Sequence, residues 1–425
     1  MRGVEPNFPP PEVRPADSAE RVTHVMSYRV ITPIFGGGVK PREADPISVV
    51  RVPGILGHLR FWWRVCRGAG FASVADLKRR EDELWGSTSN RSQIVLAVRV
   101  TNKGTARPTH SIPDRGTFAR PNEGVAPGYV SFPLQPKMEQ GNWQGPWKVQ
   151  TDVTFDLEVA CPAADWPDLE AALWAWEHFG GVGARTRRGF GALACVVRDG
   201  INVPPVPAAT LLAQLKQGIQ KHVRAGGKGT PKGLSWLTAT AVVVTTKQAC
   251  DGMEAWKRLV NGYRDFRQAR PGLGTNHPGR SYWPEPDMLR REDRTNSPGH
   301  EPVHPVHRYP RADLGLPIVF HFKDQKERDP KDVILQGRNH DRRASPLILR
   351  PHLCAEGAVG LGALLVPFGA PPGGYALNRI PGAQVNSRIS DVPEPGRRTI
   401  KPLVKANNQI HSEVVLAVLD MIQGL

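Results

Sequence analysis

The run Gly180-Gly181-Val182-Gly183-Ala184-Arg185-Thr186-Arg187-Arg188-Gly189-Phe190-Gly191 holds the densest set of residues suited to binding chemistry. Gly181, Gly183, Gly189 and Gly191 would let a ligand come close to bare backbone N–H groups. Arg185, Arg187 and Arg188 add guanidinium forks that match phosphate oxygens. Together they suit a sugar–phosphate backbone, and the competing reading is a tight exposed turn with solvated arginines. No Gly-Lys-Ser/Thr follows, so this is not a Walker loop. Gly189 to Ala194 spells GxGxxA, but it opens a strand, whereas a dinucleotide site needs a strand before it and a helix after it.

A second cluster is Arg60, Arg64 and Arg67, spaced i, i+4 and i+7 and therefore on one helical face beside Trp63. Arginine next to aromatic rings suits phosphate contact and stacking, and the alternative is a core helix with a basic outer face. Trp62 and Trp63 fit the core better than a stacking platform. His300, His304 and His307 have metal-like spacing, but they sit among Pro302, Pro305 and Pro310, where no helix gathers them. Glu43 and Asp45 have no partner for acid–base work, and no Ser–His–Asp pattern occurs. We therefore expect no catalytic residue, no metal and no cofactor.

The elements that must position these groups are legible in outline. Tyr28 to Phe35 alternates like a strand and breaks at Gly36–Gly38. Ile55, Leu59, Trp62 and Trp63 mark a helix over 55–67 after Pro53, and a short helix is expected over 76–84 and a strand over 93–100. Residues 101–150 read as an irregular insertion. Val153, Phe155, Leu157 and Val159 define a strand, and Asp165 with Pro167 opens a helix that Gly180 ends. The arginine loop then leads into a strand over 192–198. Beyond a Pro-rich break at 203–207 and a Gly/Lys run at 226–233, we expect a strand at 237–246 and a helix at 253–268. Loops are expected over 270–312 and 370–402, strands at 316–323, 331–336, 346–350 and 361–367, and a closing helix at 412–422. Two strand–helix–strand groupings of similar size are compatible with a duplicated module, although no residue-level repeat is visible.

The 425 residues carry 56 Lys plus Arg against 40 Asp plus Glu, a net charge of +16. Such a surplus favours a polyanionic partner, through counterion release. No apolar run approaches a membrane span. The first residues, with Pro9, Pro10 and Pro11, read as a flexible tail without a secretory core. Five dispersed cysteines without a CxxC pair suit a reduced, cytoplasmic protein.

Several of these segments together resemble a known family. Ile31-Thr32-Pro33-Ile34-Phe35-Gly36-Gly37, Arg60-Phe61-Trp62-Trp63-Arg64, Leu84-Trp85-Gly86-Ser87-Thr88 and the glycine–arginine loop resemble the RAMP superfamily. Gly279-Arg280-Ser281-Tyr282-Trp283-Pro284-Glu285-Pro286, Gly315-Leu316-Pro317-Ile318 and Arg342-Arg343-Ala344-Ser345-Pro346-Leu347 are further matches. They narrow the resemblance, over residues 26–368, to the first-subunit (Cmr-one) family of the type III-B CRISPR Cmr complex.

The resemblance implies an α+β fold of two ferredoxin-like (RRM-like) RAMP modules with long loop insertions. Residues 1–25 would be a Pro-rich tail, 26–205 the N-terminal module and 234–425 the C-terminal one. It also implies a non-catalytic subunit holding the 3′ part of the guide RNA (crRNA), next to other RAMP subunits, and helping to capture target RNA. In this family the target-cleaving carboxylate belongs to the repeated backbone subunit. Arg280, Arg342 and Arg343 would join Arg60, Arg64, Arg67 and the loop arginines as RNA contacts. Two rivals stay open: a RAMP endoribonuclease that processes guide precursors with a His, Tyr or Lys as general acid–base, and a small-anion or nucleotide-binding module.

Overall fold

In the computed structural model, residues 20–38, 42, 43, 45, 47–116, 118–226, 233–275, 279–293, 301–322 and 329–425 are described. Most of the Pro-rich tail, most of the 226–233 run and His300 lie outside them.

The N-terminal half begins with β1 (Arg21–Val30), whose inward residues Met26, Tyr28 and Val30 alternate with more exposed ones. Next comes α1 (Val52–Arg67), started by Pro53 in its first turn, with Ile55, Leu59, Trp62, Trp63 and Cys66 buried. α2 (Val74–Trp85) follows, capped by the Ser73 hydroxyl, which accepts from the Asp76 N–H. Then come β2 (Val95–Asn102), β3 (Thr154–Pro162), α3 (Trp166–Phe179), β4 (Leu193–Arg198) and β5 (Ile201–Asn202). The sheet order is β5-β4-β1-β3-β2, with every neighbouring pair antiparallel. Leaving aside the two-residue edge strand β5, this is the βαββαβ chain path of a ferredoxin-like module, with α1 and α3 packed on one face. Trp62, Trp63, Phe155, Leu157, Trp176 and Phe179 share its core.

The C-terminal half follows α4 (Ala208–His222) and repeats the order in shortened form. Its elements are β6 (Val243–Thr245), α5 (Gly252–Arg267), β9 (Leu347–Cys354), β10 (Gly357–Leu364) and α7 (Val414–Gly424), with sheet order β6-β10-β9. That is the first, third and second strand of a ferredoxin-like sheet, and the described residues contain no fourth. Between α5 and β9 lies a lobe built from α6 (Glu285–Glu292), β7 (Ile318–Phe320) and β8 (Val333–Gly337). It is completed by β11 (Tyr375–Leu377), in the order β7-β8-β11. The lobe has its own core around Leu289, Tyr309, Phe320, Leu335 and Tyr375.

Where sequence and structure differ, local chemistry explains why. The first strand lies earlier than expected, because Thr32 and Pro33 leave the sheet: the Thr32 hydroxyl donates to the Gly189 carbonyl and accepts from the Ala192 N–H. Residues 101–150 are not structureless. Thr105–Pro108 pairs with Lys148–Thr151, and two shorter ladders, 110–111 with 120–121 and 137–139 with 142–144, fill the insertion. α4 had no sequence expectation at all. The loop expected over 270–312 contains α6, whose Asp287 carboxylate accepts from the Val303 and His304 N–H groups.

β9 is buried along nearly its whole length, and period two explains how. Leu347 and Leu349 face α5 and α7, while Ile348, Arg350, His352 and Cys354 face the first module. Arg350, fully buried, donates to the carbonyls of Glu177, Gly180 and Leu193. His352 stacks on His178, rings 5.2 Å apart and 5° from parallel, with Nε2 2.9 Å from His178 Nδ1. Because His352 Nδ1 lies 2.9 Å from the Leu353 carbonyl, it carries its proton there. His352 Nε2 is therefore the acceptor and His178 Nδ1–H the donor.

Burial pushes His178 well below the usual histidine range and His352 down to about 3. The unfolded chain takes up these protons near pH 6.5, so the contribution is complete above that value. It is lost as pH falls toward the folded value, at a rate approaching 1.4 kcal/mol per pH unit for each group. Urea unfolding should show the wild type losing more stability than His352→Gln between pH of about 7.5 and about 5. Parallel losses in the two proteins would show that the pair carries no pH dependence.

Candidate nucleic-acid interface

The glycine–arginine loop begins where α3 ends. The Gly180 N–H still bonds to the Trp176 carbonyl, and the chain then folds back on itself, with the Val182 N–H on the Gly191 carbonyl at 2.9 Å. Gly191 has φ +61°, and a Cβ there would meet the Val182 carbonyl oxygen at 1.9 Å. Gly189 has φ +84°, and its Cβ would fall 2.4 Å from Trp256 Nε1, which donates to the Arg188 carbonyl at 2.8 Å. Gly181 lies against Gly191, and Gly183 against the Phe35 carbonyl. Gly181, Gly189 and Gly191 are buried and Gly183 is half-buried.

This corrects the sequence reading. The close approach that the glycines permit is chain against chain and module against module, and their faces do not form an open floor for a ligand.

The arginines are a different matter. Arg185 holds a left-handed backbone (φ 58°) and sits over the exposed ring of Phe132, 5.3 Å from its centre. Its Nε is buried without a hydrogen-bond partner. Arg187 donates to the Ser345 carbonyl at 2.6 Å and lies over Phe61 at 5.1 Å. Arg188 donates to the Leu347 carbonyl and the Tyr263 hydroxyl, with its guanidinium 4.9 Å from the Tyr263 ring centre. Burial, then the neighbouring Arg188 charge, pushes Arg185 and Arg187 each down to about 10. Among the described residues no carboxylate pairs with any of the three. The loop thus concentrates positive charge that no described carboxylate neutralises.

The other expected contacts divide. Arg342 is exposed, and Arg343 donates to the Gly369 carbonyl. Both sit just before Ser345 and Leu347, so the structure brings Arg187, Arg188 and the 342–347 segment together. Arg60 and Arg64 both bind Glu81 Oε1, at 2.7 and 2.6 Å, which joins α1 to α2 and neutralises part of the predicted stripe. Arg67 is a second correction: only 8% exposed, it holds Asp168 at 3.1 Å and the carbonyls of His222 and Pro167. It anchors α1 and has no surface to offer a ligand. Arg280 lies apart from the loop, in the lobe, donating to the Glu301 carbonyl at 2.8 Å.

Sequence reasoning missed Phe132, a lone aromatic in a Pro-rich stretch with no periodicity to mark it. It also missed the Tyr129 hydroxyl, which Arg267 reaches at 2.9 Å. His304 is used locally, its Nδ1 accepting from the Val306 N–H, and no group of three metal-type ligands occurs among the described residues. No described helix is long and apolar enough to cross a membrane.

Comparison with known proteins follows the same geometry. The RAMP superfamily family model matches residues 27–194, which span the first module. Two curated proteins similar to this chain are Cmr1 subunits of a CRISPR system. The Pyrococcus furiosus "CRISPR system Cmr subunit Cmr1-2" is 26% identical over 183 residues, 40% of this chain and 92% of that protein. The Cmr1-1 subunit of the same organism is 27% identical over 149 residues, 35% of this chain and 40% of that protein. The apo crystal structure of Pyrococcus furiosus Cmr1 is 16% identical, covering 84% of this chain and 94% of that one, at a TM-score of 0.45.

If the glycines serve the clasp, Gly189→Ala should cost stability. The alanine Cβ would face both a left-handed backbone and the Trp256 indole. A loss of about 2 kcal/mol or more in urea unfolding is expected. An unchanged midpoint would show that the loop can lift off Trp256 freely.

Proposed function

We propose that this protein is a non-catalytic RNA-binding subunit of a type III-B CRISPR effector complex. It would hold the 3′ region of the guide RNA beside other RAMP subunits and help capture target RNA. The RAMP family-model match and the Cmr1 relatives support the assignment to such a complex. The observation that carries the RNA role is the trio Arg185, Arg187 and Arg188, concentrated on one rigid loop with no facing carboxylate among the described residues. Unneutralised guanidiniums beside aromatic rings suit phosphates and bases in turn. Arg342 and Arg343 extend this surface from the second module, and Arg60 and Arg64 border it with reduced charge. The glycines act by fixing the loop. We further propose that residues 26–205 and 234–425 are the two modules, and that the cytoplasm is the site of action.

The test pairs two variants whose effects differ in kind. Arg185→Ala should weaken binding of single-stranded RNA roughly three- to tenfold and lower the salt slope by about one. Phe132→Ala should weaken binding comparably through lost stacking and leave the slope unchanged. If neither affinity nor slope moves, the loop does not carry the RNA. Purified protein incubated with repeat-containing RNA, with and without divalent metal, should leave the RNA intact. Cleavage at one position would favour the endoribonuclease reading.

A further inference from the structure

A basic groove in the inserted lobe stands apart from the loop site. It is about 910 Å³ in volume, and it lies between the chain leaving α5, the helix α6 and the strand β7. That volume falls within the roughly 300–1,000 Å³ of ligand-binding clefts. Four arginines line it, Arg270, Arg280, Arg290 and Arg311, with Asp329 as the carboxylate in the wall.

Two of the four belong to the floor. Arg290 is held by Asp287 at 2.9 Å and Asp329 at 2.8 Å, and its guanidinium sits 5.2 Å from the Phe322 ring centre. Arg311 lies 3.2 Å from buried Glu285 and 5.4 Å from the Phe320 ring centre. Their charges are largely answered within the protein, and they stiffen the groove. Arg280, on the rim, faces Asp287 at a longer 3.5 Å.

Arg270 is different. Among the described residues no carboxylate pairs with it, and its Nε is buried without a hydrogen-bond partner. Burial and the neighbouring Arg311 charge both push its pKa down. Val319, 60% exposed on β7, lines the same groove. A guanidinium with no carboxylate partner and an exposed apolar side chain in one groove supply the two halves of what a nucleotide requires.

Position says which polyanion. Arg311 donates to the Arg267 carbonyl at 3.0 Å, and Arg267 lies over Tyr263 at 5.7 Å, the same ring that Arg188 covers. The arginines of the groove and of the glycine loop are therefore linked through α5. All four cations in the groove are arginines, whose planar forks fit phosphate and stack on bases better than lysine does.

We infer that this groove is a second RNA site, taking a short single-stranded segment with a phosphate between Arg270 and Arg280 and a base against Val319. This rests on the RNA-binding reading above and extends it to the lobe.

The experiment uses the full chain and a fluorescein-labelled oligouridine of about 15 nucleotides. Arg270→Glu should weaken binding about tenfold and lower the salt slope, whereas Arg270→Lys should retain most of it. Thermal melts should match the wild type, and oligouridine carrying 4-thiouridine should crosslink within residues 319–322. If Phe132→Ala weakens binding while Arg270→Glu does not, the groove assignment falls and the loop reading stands. If the wild type binds no oligouridine, both fall. Arg270-dependent binding of polyglutamate with unchanged RNA affinity would overturn the inference in favour of an acidic protein partner.

Discussion

The Arg350 guanidinium, sealed between the two modules, fixes the geometry on which everything else rests. Besides the adjacent Pro351 carbonyl, it donates to those of Glu177, Gly180 and Leu193 in the first module, so it closes the C-terminal end of α3 and reaches the start of β4. A cation is well placed at a helix C-terminus, where unsatisfied carbonyls gather negative potential. Its burial is costly: desolvation pushes the group down to about 9, with Glu177 opposing. Burial of this kind persists only where the hydrogen bonds are complete, and here they span the segment that contains the glycine–arginine loop. Arg187 and Arg188 add the same motif from the other direction, donating to the Ser345 and Leu347 carbonyls at and just before the start of β9. The two modules are thus joined by arginines from each reaching the backbone of the other.

That arrangement divides the basic residues into two kinds. Arg60, Arg64, Arg67, Arg290 and Arg311 each face a carboxylate, and their charge is spent inside the fold. Arg185, Arg187, Arg188 and Arg270 face none among the described residues. A net charge of +16 says only that the surplus exists. The pairing pattern says where it resides, and a polyanion responds to that local field rather than to the total.

Much of the fold was legible because it obeys simple periods. Ile55, Leu59, Trp62 and Trp63 gave α1, and Phe155, Leu157 and Val159 gave β3, each within a few residues of its observed bounds. α4 could have been found from Leu211, Leu215 and Ile219, spaced four apart, but the prolines before it read as a boundary. The ladders within 101–150 were hidden because strands of two to four residues leave no alternation to detect. At the site, residue type was legible and partner was not. Sequence spacing put Arg60, Arg64 and Arg67 on one helical face, yet Glu81 and Asp168, which claim them, come from other helices.

The glycine loop shows why a strong local signal can carry a function at one remove. Glycines at 181, 189 and 191 are required, since a Cβ at any of them would strike backbone or the Trp256 indole within 2.6 Å. That requirement comes from packing. A ligand needing the same bare backbone would compete with Trp256 and Val182 for it. The loop therefore cannot both clasp the modules and lay its amides open at those positions. The clasp does, however, fix Arg185 in a left-handed backbone that an unconstrained turn would seldom hold. It also leaves the Arg185 guanidinium stacked on Phe132, so under the proposed RNA role the recognition chemistry would reside in the side chains, with the glycines supplying their rigidity.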